Sequence, residues 1–203
     1  KEVISNEYKK HNGVERSLTD YEREKFIRIK EMKADDADMG TALAFLSKCL
    51  YTHYHKKAII LIDEYDVPLE NAYFSGFYDE MVSFIRSLFE SALKTNDYLE
   101  FAVITGCLRI SKESIFTGLN HLKIVSILEN DFSEHFGFVQ KEVEQMLDFY
   151  GLSAHMDVMK RWYDGYMFGK SEVYNPWSAI NFVRQLCSNE KAFPRPYWSN
   201  TSS

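Results

Sequence analysis

Two adjacent carboxylates, Asp63 and Glu64, follow directly on an aliphatic run in "AIILIDEYDVPLE" at 58–70, and a third acid, Asp66, comes two residues later. In phosphate-hydrolysing folds the first acid after such a run holds Mg²⁺, usually through water. A glutamate beside it can orient or deprotonate the attacking water. Asp63 and Glu64 have that order and type. A second apolar run, "FAVITG" at 101–106, ends in Thr105 and Gly106. A hydroxyl at such a strand exit can contact a γ-phosphate or the lytic water. Arg109 and Lys112 in "CLRISKES" are cations that could approach phosphates. Each feature has a plainer reading: a buried strand leaving the core through polar residues, a threonine finishing a strand, solvated cations at a helix start.

These groups act together only if the elements carrying them are neighbours. Lys57–Ile62 and Phe101–Ile104 read as short strands, and Lys123–Ile127 as a third. The continuous apolar run at 57–62 is the form of a strand covered on both faces. Between the first two runs, Met81, Ile85, Leu88 and Ala92 make one helical stripe from about Tyr78 to Leu93. Upstream, 15–31 is strongly charged with an imperfect helical pattern. Ala42, Phe45, Leu46, Cys49 and Leu50 mark a helix that starts near the acids at 35–38. Alternating helix and strand patterns predict a parallel α/β sheet with crossover helices. The stretch from Asp63 to Thr105 is long enough for such a crossover. Ligands then gather at the carboxyl ends of the strands.

After residue 130 the pattern turns mostly helical. Val143, Met146, Leu147 and Tyr150 share one face. Asn175 can cap a helix beginning at Pro176, with Ala179, Ile180, Val183, Leu186 and Cys187 on its buried side. "WYDGYMFGKSEVY" at 162–174 reads as a turn or small hairpin between helices. Its Trp162, Tyr163, Tyr166 and Phe168 could stack on bases, but packing fits the acidic balance better. The expected division is 1–130, a partial α/β core, and 131–203, a helical lid-like region.

A phosphate loop has the form G-x-x-x-x-G-K-[ST]. "DGYMFGKS" imitates its end with Gly169, Lys170 and Ser171, but Asp164 stands where the first glycine belongs and no apolar strand precedes it. We read it as a decoy, so the 203 residues carry at most half of a nucleotide site. The chain begins at Lys1 and stops at "YWSNTSS", which fits a piece of a longer protein cut on its N-terminal side.

Composition narrows the classes. Lys+Arg 24 against Asp+Glu 30 gives a formal net charge of −6, which advertises no general affinity for nucleic acid. The short basic clusters "YKKH" and "HYHKK" read as solvated surface. Cys49, Cys107 and Cys187 form no CxxC pair, and a reducing compartment, the cytoplasm, fits them. His53 and His55 have no third ligand nearby in sequence. No apolar run is long enough to span a membrane.

Taken in order, "LIDEYDVPL", "ITGCLRISKESIFTGLNHL", "WYDGYMFG…VYNPWSAI" and "YWSNTSS" resemble successive motifs of the AAA-ATPase-like family, bacterial P-loop proteins related to archaeal-type and signalling ATPases. The resemblance covers roughly 56–203, with 1–55 fitting loosely. It implies a P-loop NTPase-like fold, ATP and Mg²⁺ as ligands, Asp63 as the magnesium-holding acid, Glu64 as the catalytic carboxylate and Thr105 as the sensing residue. "YNPWS" resembles the entry to the helical lid. The family's phosphate loop lies upstream in an "RPRRFGKT/S"-like segment, and many members carry a nuclease-like C-terminal domain. Neither is in these residues.

Three functions remain open at this level. One is an ATP-binding module whose hydrolysis serves as a switch in the full-length protein, inactive as this fragment alone. Another is a non-catalytic regulatory or interaction module that keeps the ATPase shape. The third is a metal-dependent hydrolase built on Asp63, Glu64 and Asp66 themselves, although strand alternation would split such neighbours between faces. A protein partner or self-association is compatible with the first two, since an arginine could act across a subunit boundary.

Overall fold

The computed structural model describes residues 1–107, 115–116, 118–119 and 122–197. It divides into two compact units, Lys1–Leu122 and Lys123–Ser203.

The first unit opens with helices whose starts are written locally. Thr19 caps α2 (Asp20–Lys30) in a reciprocal box with Glu22, after α1 (Glu2–Lys10) and a 3₁₀ turn at Val14–Ser17. Two backbone donors that the helix cannot satisfy internally are thereby used. Asp35 accepts from the Asp38 N–H to start α3 (Asp36–Gly40), and α4 (Ala42–Tyr54) follows. The expected stripe on α4 holds: Ala42, Leu46 and Cys49 are buried, with Phe45 and Leu50 packed partly against them. Between helices, the Tyr8 hydroxyl donates to Ala42 O at 2.7 Å and its ring lies 4.7 Å from that of Phe26.

Strand β1 (Ala58–Ile62) runs parallel to β2 (Leu99–Ile104), with Ile60 opposite Ala102 and Ile62 opposite Ile104. The chain between them forms α5 (Val67–Ser75), α6 (Tyr78–Phe89) and a π-helical turn, Glu90–Lys94. On α6 and this turn, Ile85, Leu88 and Ala92 are buried as the stripe predicts.

Two expectations about the sheet require correction. Ile60, Ile62, Ala102 and Ile104 pack on the core, but Ile59, Leu61, Phe101 and Val103 are 62%, 73%, 60% and 41% exposed. Among the described residues the strands are therefore covered on one face, not two. The third strand expected at Lys123–Ile127 does not form: its backbone has no ladder partner among the described residues. An apolar run supplies the side chains of a strand but not the neighbour that must pair with it.

The second unit contains α7 (Gln140–Phe149), a 3₁₀ turn at Ser153–His155, α8 (Met156–Tyr163), the antiparallel hairpin β3 (Tyr166–Phe168) and β4 (Ser171–Val173), and α9 (Pro176–Ser188). Asn175 caps α9 by accepting from the Ser178 N–H at 2.9 Å, with Pro176 in the first turn as read. The buried stripe of α9 is Ala179, Phe182, Val183 and Leu186. Ile180 and Cys187, expected on that side, are exposed. Spacing of i, i+3, i+4 and i+7 from Ala179 selects Phe182 and leaves both residues off the face. Tyr150, expected on the α7 stripe, is 54% exposed because the helix ends before it.

No helix among the described residues is long and apolar enough to cross a membrane.

Candidate functional site at the tips of the parallel strands

The ladder between β1 and β2 continues past both strands. Thr105 N–H donates to Ile62 O at 2.8 Å, and Tyr65 N–H donates to Thr105 O at 3.0 Å. The two strand exits are thus stitched together, with Asp63 and Glu64 between the stitches on one side and Thr105 on the other. The Thr105 hydroxyl donates to Asp63 Oδ1, which also accepts the Glu64 N–H at 3.1 Å. These two bonds set the rotation of the Asp63 carboxylate. Among the described residues no hydrogen bond takes its Oδ2. Asp63 and Glu64 are exposed, and no ion pair within 4 Å occupies either among the described residues.

Glu64 has φ of 52°, in the left-handed region that costs a residue with a Cβ about 1–2 kcal/mol. Strain of this kind persists where neighbours over-determine the backbone, and it clusters at functional sites. Here both flanking residues are tied to Thr105. Asp66 then begins α5: its carbonyl accepts from Leu69 and Glu70 N–H groups, both at 3.0 Å, and Pro68 sits in the first turn.

Asp66 is 4% exposed, whereas Asp63 and Glu64 face solvent. The three acids therefore do not converge, and no group of three or more His, Cys, Asp or Glu among the described residues is arranged to hold a metal ion. The three-acid hydrolase loses its geometric basis. Asp63 beside Thr105 is a different matter. Mg²⁺ takes one or two carboxylates along with phosphate oxygens and keeps several waters, so an all-oxygen strand tip with a free carboxylate oxygen fits it.

Gly106 plays a part its type does not announce. It is not among the positive-φ residues, so conformational freedom does not explain it. Space does: a Cβ there would stand 2.5 Å from Tyr65 Cε1 and 2.8 Å from Asp66 Oδ1. The only signal of this contact in the sequence is a glycine placed directly after a strand.

Arg109 and Lys112 lie outside the described residues. The decoy segment is a hairpin turn: Gly169 and Lys170 join β3 to β4, with Gly169 at φ 53° in the first central position, where a II′ turn takes glycine. Its N–H donates to Ile127 O at 2.8 Å and the Ser171 hydroxyl bonds Ser133 at 2.9 Å, so both groups serve internal packing. In the aromatic stretch Tyr163 is buried, its ring 5.3 Å from Phe182, while Trp162 and Tyr166 are exposed. His53 bonds Ser17 at 2.7 Å and His55 is the left-handed cap of α4.

Parallel strands whose acidic and hydroxyl tips adjoin place polar groups where open α/β sheets gather their ligands. The family described as Predicted AAA-ATPase matches residues 2–116, more than half of the chain, and the chain belongs to that family. The match takes in the N-terminal helices, which the motif resemblance covered loosely, and stops at Phe116. The chain is also similar to an "Uncharacterized protein in vnfD 5'region" of Azotobacter chroococcum mcd 1, 29% identical over 151 residues. That alignment covers 73% of this chain and 28% of the relative, so the chain spans less than a third of the relative's length. No solved structure matches.

Proposed function

We propose that these residues are the acid-bearing part of an ATP-binding module that hydrolyses ATP with Mg²⁺ as a switch in the full-length protein. The single observation carrying this reading is the Thr105–Asp63 side-chain hydrogen bond across adjoining parallel strand tips. Family membership supports it. Asp63 would hold the ion with the oxygen that Thr105 and Glu64 leave unused. Thr105, fixed to Asp63, would report the state of the γ-phosphate to β2. Exposed Glu64 would orient the attacking water and take its proton. Arg109 and Lys112 are proposed to approach the phosphates. When bound, Mg²⁺ would neutralise charge on the phosphoryl oxygens, which is most of what such chemistry asks of a site. The phosphate cradle would come from outside these residues, so the 203-residue chain alone is expected to be inactive.

The test is Glu64→Gln in the full-length protein. Turnover should fall about 10²–10³-fold, the scale of losing a group that acts in the transition state, while calorimetry still records binding of ATP with Mg²⁺. Wild-type turnover in this variant would remove the catalytic assignment. Absence of ATP binding by the unmutated protein would favour instead a regulatory module that keeps the shape without the chemistry.

A further inference from the structure

The strained residue Glu64 is flanked by two anchors, and only one of them is an obvious site residue. Asp63 is tied to Thr105 through its side chain. Tyr65 is tied to the same strand exit twice: its N–H donates to Thr105 O at 3.0 Å, and its ring lies close enough to Gly106 to leave no room for a Cβ. The ring also meets Phe116, edge-on at 5.3 Å, which in turn stacks on Phe89 at 6.0 Å. Phe89 is 3% exposed and stands where α6 passes into the π turn. A ring held by β2's exit on one side and by the core on another can move little. Glu64 precedes Tyr65 directly and has a left-handed φ of 52°, so its backbone is held on that side by the same anchor.

We propose that Tyr65 is a positioning residue for Glu64, holding it through the Tyr65–Gly106 contact in the conformation that faces the nucleotide. This rests on the proposed ATPase reading and adds a residue to it. Tyr65 touches no substrate; it acts through the backbone between two anchors. The role belongs to its ring.

The test uses the full-length protein and compares Tyr65→Phe, Tyr65→Ala, Gly106→Ala and the Tyr65→Ala/Gly106→Ala pair, each alone and with Glu64→Gln. Tyr65→Phe should keep kcat within about twofold. Tyr65→Ala and Gly106→Ala should each lower kcat by about ten- to a hundredfold, the scale of a misplaced catalytic group, with the Kd for MgATP changed less than about threefold. The double variant should lose less than the two single losses combined, because the ring atoms that the new Cβ would strike are gone and only Asp66 Oδ1, at 2.8 Å, still stands in its way. In the Glu64→Gln background neither change should lower the residual rate further, a non-additivity that general loosening would not give. Should Tyr65→Ala fail to fold, Gly106→Ala, which shifts the ring without removing it, decides the matter.

Tyr65→Ala or Gly106→Ala at wild-type kcat, or equal losses with and without Glu64, would overturn the positioning role alone. Full turnover by Glu64→Gln would instead remove the reading beneath it.

Discussion

Glu64 pairs an energetic cost with an exposed carboxylate. Nothing in its packing repays a left-handed backbone at a residue with a Cβ: its side chain is solvent-facing, and the hydrogen bond from its N–H to Asp63 Oδ1 would survive any side-chain change except proline. Glu64→Gly should therefore raise the stability of the 203-residue chain by about 1 kcal/mol, the left-handed cost less the entropy that glycine loses on folding. On the proposed ATPase reading, the same change in the full-length protein should abolish ATP turnover. Denaturant melts of the chain and steady-state assays of the whole protein read the two effects separately. A glycine variant that is less stable than wild type would mean that Glu64 makes a contribution to folding and that its conformation is not strain kept for function. The acid pair itself was legible from type and order alone. Its partner Tyr65–Gly106 was not, because the contact closes across about forty residues and neither residue type advertises it.

At the scale of elements, local signals read well and pairing read poorly. The cap at Asn175 and the stripes on α4 and α6 are interactions within a few residues, so the sequence contains both partners side by side. The absent strand at 123–127 and the rotated face of α9 depend on what each element meets, which an apolar run does not specify. One local device also links two helices. Glu22 closes the α2 capping box with Thr19 and pairs with Lys48 of α4 at 2.7 Å. Hydrogen bonds from Lys48 first, then Thr19, hold its carboxyl down to about 2, well below the ordinary glutamate range. A folded-state value lower than the unfolded one stabilises the protein at pH above the unfolded value, about 4.3, and that contribution fades as pH falls through about 2. Glu22→Gln keeps an acceptor for the box and loses the charge. It should cost about 1 kcal/mol at pH 7, in line with caps and well-formed ion pairs. Urea midpoints of the two proteins should converge as pH is lowered below about 4.3. A gap that stays constant from pH 7 to pH 3 would show that the charge of Glu22 is not what stabilises the helix pair.

For the whole molecule, the face of the sheet that is left exposed among the described residues is the feature that most needs an explanation. Parallel strands are built for cover on both faces, and two strands with one face packed are at the lower edge of what stands in water. Ile59, Leu61, Phe101 and Val103 lie side by side in register, Ile59 opposite Phe101 and Leu61 opposite Val103. On the proposed ATPase reading, the sheet and its cover are completed by residues beyond these 203, consistent with a relative of which this chain spans 28%. The sequence run 57–62 predicted a strand with two apolar faces, and in this sense it described the strand's composition correctly while its surroundings differ. Leu61→Thr and Val103→Thr separate the two situations, since threonine keeps strand propensity and removes apolar area. In the 203-residue chain each should change stability by less than about 0.5 kcal/mol, as for other exposed positions, and should reduce aggregation on concentration. In the full-length protein each should cost about 1–2 kcal/mol, the scale of uncovering an aliphatic side chain that had been buried. Equal, small effects in both proteins would mean that the face stays in solvent in the whole molecule, and the completed-sheet reading would fall with it, leaving the acid pair at the tip of a two-stranded sheet that needs no partner.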